Sequence, residues 1–376
     1  MIKIISVFGT RPEAIKLAPL MRLFNSDPSI HHKMLSTGQH SEMLVQVLEF
    51  FDLHPDFNLD VIKTQPDLTK MTSLIIEGCK IVFEKERPDL VIVHGDTTSA
   101  LSASLSAFYQ GISVGHVEAG LRTHNLYSPW PEELNRKFIA SIAKLNFAPT
   151  ENAKSNLLLE LVDEDSVFVT GNTVIDSLFL THEIITNCNQ MQSSFEVSAE
   201  FDAEDFIILA TLHRRENIGV NLENICKAIR EVALNENVKF IIPVHKNPKV
   251  RSTIFELLSE LENVELIEPV SYEKFVILMS KANFILTDSG GIQEEAPSFN
   301  KPVLVVRDTS ERPEAIDAGT AKLVGTKYEE ILLNIRKLIH DKDLYLRMSS
   351  AKNPYGDGTA ARKIKSIILD WFDKNA

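Results

Sequence analysis

Three carboxylates in the first half of this sequence stand where proton-transfer chemistry would need them. Val91-Ile92-Val93 leads into His94-Gly95-Asp96, Ser113–Val117 leads into Glu118, and the rigid turn Ser128-Pro129-Trp130-Pro131 leads into Glu132. Carboxylates at the ends of apolar strands project into a crevice. Partial desolvation and mutual repulsion there push their pKa values up and apart, as abstraction of a proton from carbon requires. In the second half, His213 ends an apolar run and is followed by Arg214 and Arg215. It is a candidate to protonate or hydrogen-bond a leaving phosphate. Other chemistries lack their residues. There is no HExxH and no pairing of histidines with carboxylates at metal-ligand spacing, so no metal is expected. There is also no G-x-S-x-G elbow and no cysteine in a nucleophile motif.

Two segments suit anion binding. Thr10-Arg11-Pro12-Glu13 has the form of a capping box, with Thr10 as N-cap and Glu13 at the third helical position. Gly9 permits the tight turn before it, and Arg11 and Lys16 bring positive charge to the same helix N-terminus. In Asp288-Ser289-Gly290-Gly291 a strand runs into two glycines and then a helix. Without Cβ atoms, the backbone N–H groups of Ser289, Gly290 and Gly291 are open to a diphosphate. Glu295, in the first turns of that helix, is placed to accept hydrogen bonds from a ribose diol. Arg312 is a further candidate cation. This is neither a Walker A loop nor a GxGxxG fingerprint.

The elements that must hold these residues alternate between short apolar runs and helical periodicity, the pattern of α/β units on parallel sheets. Strands are expected at Lys3–Phe8, His32–Thr37, Asp89–His94, Ser113–Val117 and Leu145–Ala148 in the first half. In the second half they are expected at Phe206–Leu212, Lys239–Val244, Val264–Ile267, Phe284–Leu286, Val303–Val306 and Lys322–Val324. Polar residues end these strands repeatedly in both halves, so two sheets are expected to present their carboxyl edges to one shared cleft. A polar stretch over Thr186–Ala203 lacks clear periodicity and marks the hinge region. The domains are read as 1–175 and 176–358, with the last helix, 359–376, packing back on the first.

Bulk properties narrow the classes. At 376 residues, the chain is long enough for two domains. A net charge of −13 with no basic run disfavours nucleic acid but leaves room for a small anion held by local cations. Cys79, Cys188 and Cys226 are few and widely spaced, which fits a reducing compartment. The run Ile4–Phe8 reads as a strand and not a secretory signal, and no stretch is apolar enough to span a membrane. A cytoplasmic location is expected.

Taken in order, Phe8–Lys16, His94–Thr98, His116–Arg122, Ser128–Glu133, Gly171–Asp176, His213–Asn217, Asp288–Pro297 and Arg312–Glu314 resemble the bacterial non-hydrolysing UDP-N-acetylglucosamine 2-epimerases. The resemblance runs from the first strand to Asn353–Gly358. It implies a GT-B fold of two Rossmann-like domains, with no redox cofactor. It also implies interconversion of UDP-N-acetylglucosamine and UDP-N-acetylmannosamine by elimination of UDP to 2-acetamidoglucal and re-addition. By position it implies Arg11, Lys16, Asp96, Glu118, Glu132 and His213 at the reacting centre, and Ser289, Gly290, Gly291, Glu295, Arg312 and Phe275 around UDP. Phe275 would lie against the uracil and Glu295 on the ribose.

The resemblance further implies a homodimer, a supply of N-acetylmannosamine for surface polysaccharide, and an activating second UDP-N-acetylglucosamine near Gln39, His40 and His245. Three positions depart from the family pattern. Val270 stands where a Gln is expected near the nucleotide, Leu212 is bulkier than the usual residue before the histidine, and Glu42 replaces a Gln found in some members. The competing readings are a GT-B glycosyltransferase, which would require an acceptor; a hydrolysing epimerase, which often carries a fused sugar kinase; and a non-catalytic UDP-sugar sensor, which would bind UDP without turnover.

Overall fold

The computed structural model of the chain describes residues 1–38, 42–61, 67–187, 205–310 and 312–375. It divides into two compact units, Met1–Leu180 with Tyr355–Ala376, and Thr181–Pro354. The division falls inside the helix Thr173–Asn187, later than the 175/176 boundary read from the sequence.

The first unit is built on a parallel sheet of β1 (Ile2–Phe8), β2 (Ile30–Ser36), β3 (Phe57–Asn58), β4 (Leu90–His94), β5 (Ser113–Val117), β6 (Leu145–Ala148) and β7 (Val167–Val169). Their order is β3-β2-β1-β4-β5-β6-β7. The apolar runs form strands because both faces of the sheet are covered. Ile4, Val7, Leu90, Val91, Ile92 and Val93 are all fully buried, and Ile5 nearly so. The short edge strands Phe57–Asn58 and Val167–Val169 escape sequence reading, because two or three residues carry no usable periodicity. The chain order reverses between β1 and β4, the switch point at which α/β sheets open a crevice. Gly9 permits the close approach there. A Cβ on it would stand 2.1 Å from Ser99 Oγ and 2.4 Å from Thr37 Oγ1.

The second unit repeats the plan with β8 (Ile207–Thr211), β9 (Lys239–Pro243), β10 (Val264–Ile267), β11 (Phe284–Thr287), β12 (Val303–Val305) and β13 (Ala321–Leu323), in the order β10-β9-β8-β11-β12-β13. Its switch point lies between β8 and β11, whose ends carry His213 and Asp288.

The C-terminal helix Ala360–Asn375 belongs to the first unit, where it packs on the helix Arg11–Asn25. Its N-terminus is held by Asp176, whose carboxylate accepts from the Ala360 and Ala361 N–H groups at 3.2 and 2.9 Å. No described helix is long and apolar enough to cross a membrane.

Candidate active site

In the first unit the residues singled out at β1, β4 and β5 come together around Glu118. This residue follows β5 in the left-handed region, at φ 65°, a conformation that costs a non-glycine residue about 1–3 kcal/mol and is concentrated at functional sites. One of its oxygens, Oε2, collects several groups. Lys16 Nζ donates to it at 2.5 Å, Asn172 Nδ2 donates at 2.9 Å, and His94 Nε2 lies 3.9 Å away. Lys16 is thus an ion-pair partner of a carboxylate here.

Asp96 is half-buried and paired with Arg136, Nη2 to Oδ2 at 2.7 Å. Burial pushes its pKa above the usual carboxylate value. Arg136 opposes that rise, and Glu118 and Glu132 add to it by repulsion, so the carboxylates of this unit act on one another electrostatically. Glu132 begins the helix Glu132–Ile142, after the cis peptide bonds Ser128–Pro129 and Trp130–Pro131, and its buried Oε2 has no hydrogen-bond partner. Arg11 is half-buried and makes no side-chain hydrogen bond or ion pair among the described residues.

The capping box at Thr10 and Glu13 forms as the sequence indicates, but Glu13 does more than cap. It is almost wholly buried. It accepts from the Gly9 and Thr10 N–H groups at 3.0 and 2.7 Å, and from Thr97 Oγ1 at 2.6 Å. One carboxylate therefore ties the loop after β1 to the loop after β4 that carries Asp96. Burial raises its pKa, and the Gly9, Thr10 and Thr97 donors, with the Thr10 hydroxyl at 2.7 Å, oppose the rise. On the far side of the Asp96 loop, the buried His116 bonds the Gly95 carbonyl through Nε2 at 2.7 Å.

In the second unit the organising residue is Asp288, which the sequence reading recognised as the end of a strand but not as part of the site. Fully buried, its carboxylate accepts from the His213 N–H at 3.0 Å, the Arg214 N–H at 2.9 Å and Asn217 Nδ2 at 3.1 Å. It also lies 3.3 Å from His213 Nδ1. The aspartate across the switch point therefore fixes both the backbone and the ring of His213. The available signal was an Asp ending a strand directly before Ser-Gly-Gly. Burial lowers the pKa of His213; Asp288 opposes this, while Arg214 and His245 reinforce it. His245 stacks on the same ring, with centroids 6.1 Å apart. Leu212 joins the hydrophobic core, which absorbs its bulk.

The Ser289-Gly290-Gly291 turn is open at Gly291, where nothing lies within 4 Å of a notional Cβ, and at Gly290 the nearest atom is Arg214 Nη2 at 3.7 Å. One expectation needs correction, that the N–H groups of Ser289, Gly290 and Gly291 all stand open. The helix that follows, Gly290–Glu295, has six residues before it tightens into a 3₁₀ turn. The Ser289 N–H is taken by Thr287 Oγ1 at 2.9 Å and Gly290 is buried, so the open part of this turn is Gly291, and no long helix dipole backs it, because Pro297 and the Ser298–Asn300 turn end the helix early. Arg312 is not a free cation, because its Nε pairs with the buried carboxylate of Glu294. Ser310 bonds Gln293, whose amide bonds the Ser289 carbonyl, so the Arg312 loop is laced to the glycine turn. Glu295 is buried, and Phe275 is half-buried on the helix Tyr272–Lys281. Gln39 and His40 lie outside the described residues. No three His, Cys, Asp or Glu side chains are grouped to hold a metal ion among the described residues.

Two Rossmann-like units with polar loops gathered at their switch points define a protein of the GT-B type. The family model for UDP-N-acetylglucosamine 2-epimerase matches residues 22–369. The UDP-N-acetylglucosamine 2-epimerase of Salmonella typhimurium is 50% identical over 371 residues, 98% of this chain and 99% of that protein. The crystal structure of UDP-GlcNAc 2-epimerase from Neisseria meningitidis bound to UDP-GlcNAc is 48% identical. It aligns with a TM-score of 0.88 and covers 98% of this chain and 100% of that one. The Methanocaldococcus jannaschii enzyme in complex with UDP-GlcNAc and UDP is 33% identical, with a TM-score of 0.78 over 98% of this chain and 99% of that one. The chain belongs to the UDP-N-acetylglucosamine 2-epimerase family.

Proposed function

We infer that this protein interconverts UDP-N-acetylglucosamine and UDP-N-acetylmannosamine by epimerisation at C2. Membership of the family over nearly the whole chain carries the reading, and the carboxylate cluster of the first unit supplies the chemistry it needs. In the forward step the C2–H proton moves to a carboxylate, its electron pair becomes the C1=C2 bond, and the C1–O bond to UDP breaks. This leaves 2-acetamidoglucal and UDP. In the return step a diphosphate oxygen attacks C1, and a proton is delivered to C2 on the opposite face. The sequence of steps is redox-neutral and balances without a co-reactant.

In this reading Asp96, Glu118 and Glu132 handle the two protons, while Arg11, Lys16 and His213 neutralise the departing diphosphate. Ser289, Gly290 and Gly291 hold UDP, with Glu295 on the ribose and Phe275 against the uracil. The pairing of Arg312 with Glu294 supports a role for it in bracing the glycine turn in addition to any contact with UDP. Positioned bases and anion donors of this kind lower a barrier that a weakly acidic C2–H would otherwise keep high. The test is incubation with UDP-N-acetylglucosamine in D2O, followed by NMR. Deuterium at C2 with a growing manno signal is expected. Strict dependence on an acceptor, or UDP binding without exchange, would replace this reading.

The same reading places the enzyme in the cytoplasm, feeding surface polysaccharide, as a homodimer. Exposed Ile81, Phe108, Tyr109 and Phe138 on the adjacent helices Leu68–Glu86, Thr98–Tyr109 and Glu132–Ile142 favour self-association. Light scattering of the purified protein decides it. Activation by a second UDP-N-acetylglucosamine through Gln39, His40 and His245 is tested with UDP-N-acetylmannosamine alone. A lag abolished by trace UDP-N-acetylglucosamine supports activation, and an immediate full rate refutes it.

A further inference from the structure

His94 is absent from the roles above, yet it is an unsatisfied buried polar group beside them. It ends β4 with 3% of its surface exposed, and its Nε2 has no hydrogen-bond partner although it lies 3.9 Å from Glu118 Oε2. A buried polar atom without a partner costs free energy, so its retention beside a reactive carboxylate calls for a chemical reason. Burial holds the imidazole neutral, with a pKa of about 3. Glu118 opposes that depression, Lys16 and His116 add to it, and the ring also bonds its own backbone. Among the groups that act on it, Lys16 comes from the helix Arg11–Asn25, and Glu118 and His116 come from β5 and its end. A ring nitrogen engaged by the backbone as donor leaves the other nitrogen with a bare lone pair. Lys16 and Asn172 donate to the ionised form of Glu118, and a lone pair can only receive from the protonated form.

We propose that His94 is a positioning residue whose bare Nε2 accepts the O–H of protonated Glu118, so that Lys16, Asn172 and His94 together set when this carboxyl holds the substrate proton. The inference rests on the reading of Glu118 as a proton carrier. An arriving diphosphate draws Lys16 off Oε2 and uncovers that oxygen as a base. The C2–H bond then breaks, the proton goes to Oε2, and the new O–H donates to His94, which stays neutral throughout. In the reverse direction the proton returns to carbon, and Lys16 recaptures the carboxylate. Leaving-group stabilisation and base activation are thereby coupled through one ammonium group.

The first test is the tautomer of His94 in the resting full-length enzyme, read by long-range 1H–15N correlation with assignment by His94→Gln. An unprotonated Nε2 is expected, and a protonated Nε2 overturns the proposal whether or not the protein turns over. The second compares variants. A hydrogen bond to the neutral acid raises a carboxyl's pKa. His94→Phe, which lacks the acceptor, is therefore expected to lower kcat about tenfold with KM little changed, and to move the Glu118 limb of the pH profile to lower pH. His94→Gln, whose amide oxygen can accept, restores most of both. A folded Phe variant with wild-type kcat and an unmoved profile overturns the proposal. Deuterium exchange at C2 by the wild-type enzyme, run in parallel, tests the reaction itself, so the two failures are told apart.

Discussion

The two units solve opposite problems with the same sheet plan. Around Glu118, side chains do the work: carboxylates, Lys16, Arg136 and buried histidines gather near the ends of β4 and β5, where burial and neighbouring charges raise the pKa of Asp96 and lower that of His94. Around Asp288, the backbone does it. One buried carboxylate gathers the N–H groups of His213 and Arg214, and the turn beside it leaves open space only at Gly291. The difference teaches that a switch point specifies only a crevice. The residue types placed there decide whether it moves protons or holds an anion.

The comparison breaks most sharply at Glu118. Glu118→Gln keeps the shape and the Asn172 side of the contact but removes the base, so kcat is expected to fall about 10³-fold. UDP affinity, measured by calorimetry, should hold. Equal losses of both would mean that the first unit does not act mainly on protons. Asp288→Asn is the counterpart in the second unit. Its amide NH2 would meet donors that the carboxylate now accepts from, releasing the His213 ring. A fall in kcat of about 10²-fold is expected, together with about 1–3 kcal/mol of lost stability in chemical denaturation. An unaffected kcat would remove Asp288 from the machinery.

Gly291→Ala sharpens the comparison without disturbing the protein. Its Cβ meets nothing within 4 Å and its φ is not positive, so the melting temperature should hold or rise. UDP affinity should still drop about tenfold if a phosphate uses that space. Gly120→Ala is the control, because at φ 90° its Cβ would fall 2.2 Å from the Ala153 carbonyl oxygen and unfold the region.

A pH-dependent effect concerns Asp176, which caps the C-terminal helix. Burial raises its pKa to about 6, with the Ala361 and Ala360 N–H groups opposing. The folded protein therefore binds this proton more tightly than the unfolded chain does. The stability this contributes is fully present below about pH 4 and is lost as pH rises through about 6. Asp176→Asn keeps an acceptor oxygen and loses the titration. The stability of the variant relative to wild type should therefore rise by about 2 kcal/mol between pH 4 and pH 7. A flat difference would show that the group is not desolvated.

The sequence alone determined the parallel α/β plan, most strand positions, the capping box at Thr10 and the family, because apolar periodicity, turn residues and ordered motifs are local properties of a chain. It also nominated Asp96, Glu118, Glu132 and the glycine turn as candidates. It could not reveal that Lys16 is bound to Glu118, that Arg312 is neutralised by Glu294, or that Glu13 ties two loops together. Nor could it reveal that Asp288 steers His213, or that the buried His94 Nε2 lies 3.9 Å from Glu118 Oε2. Each of these is a meeting of side chains from strands or loops distant in sequence. Electrostatic partnership falls off over a few ångströms of space, and spacing along the chain carries no record of it.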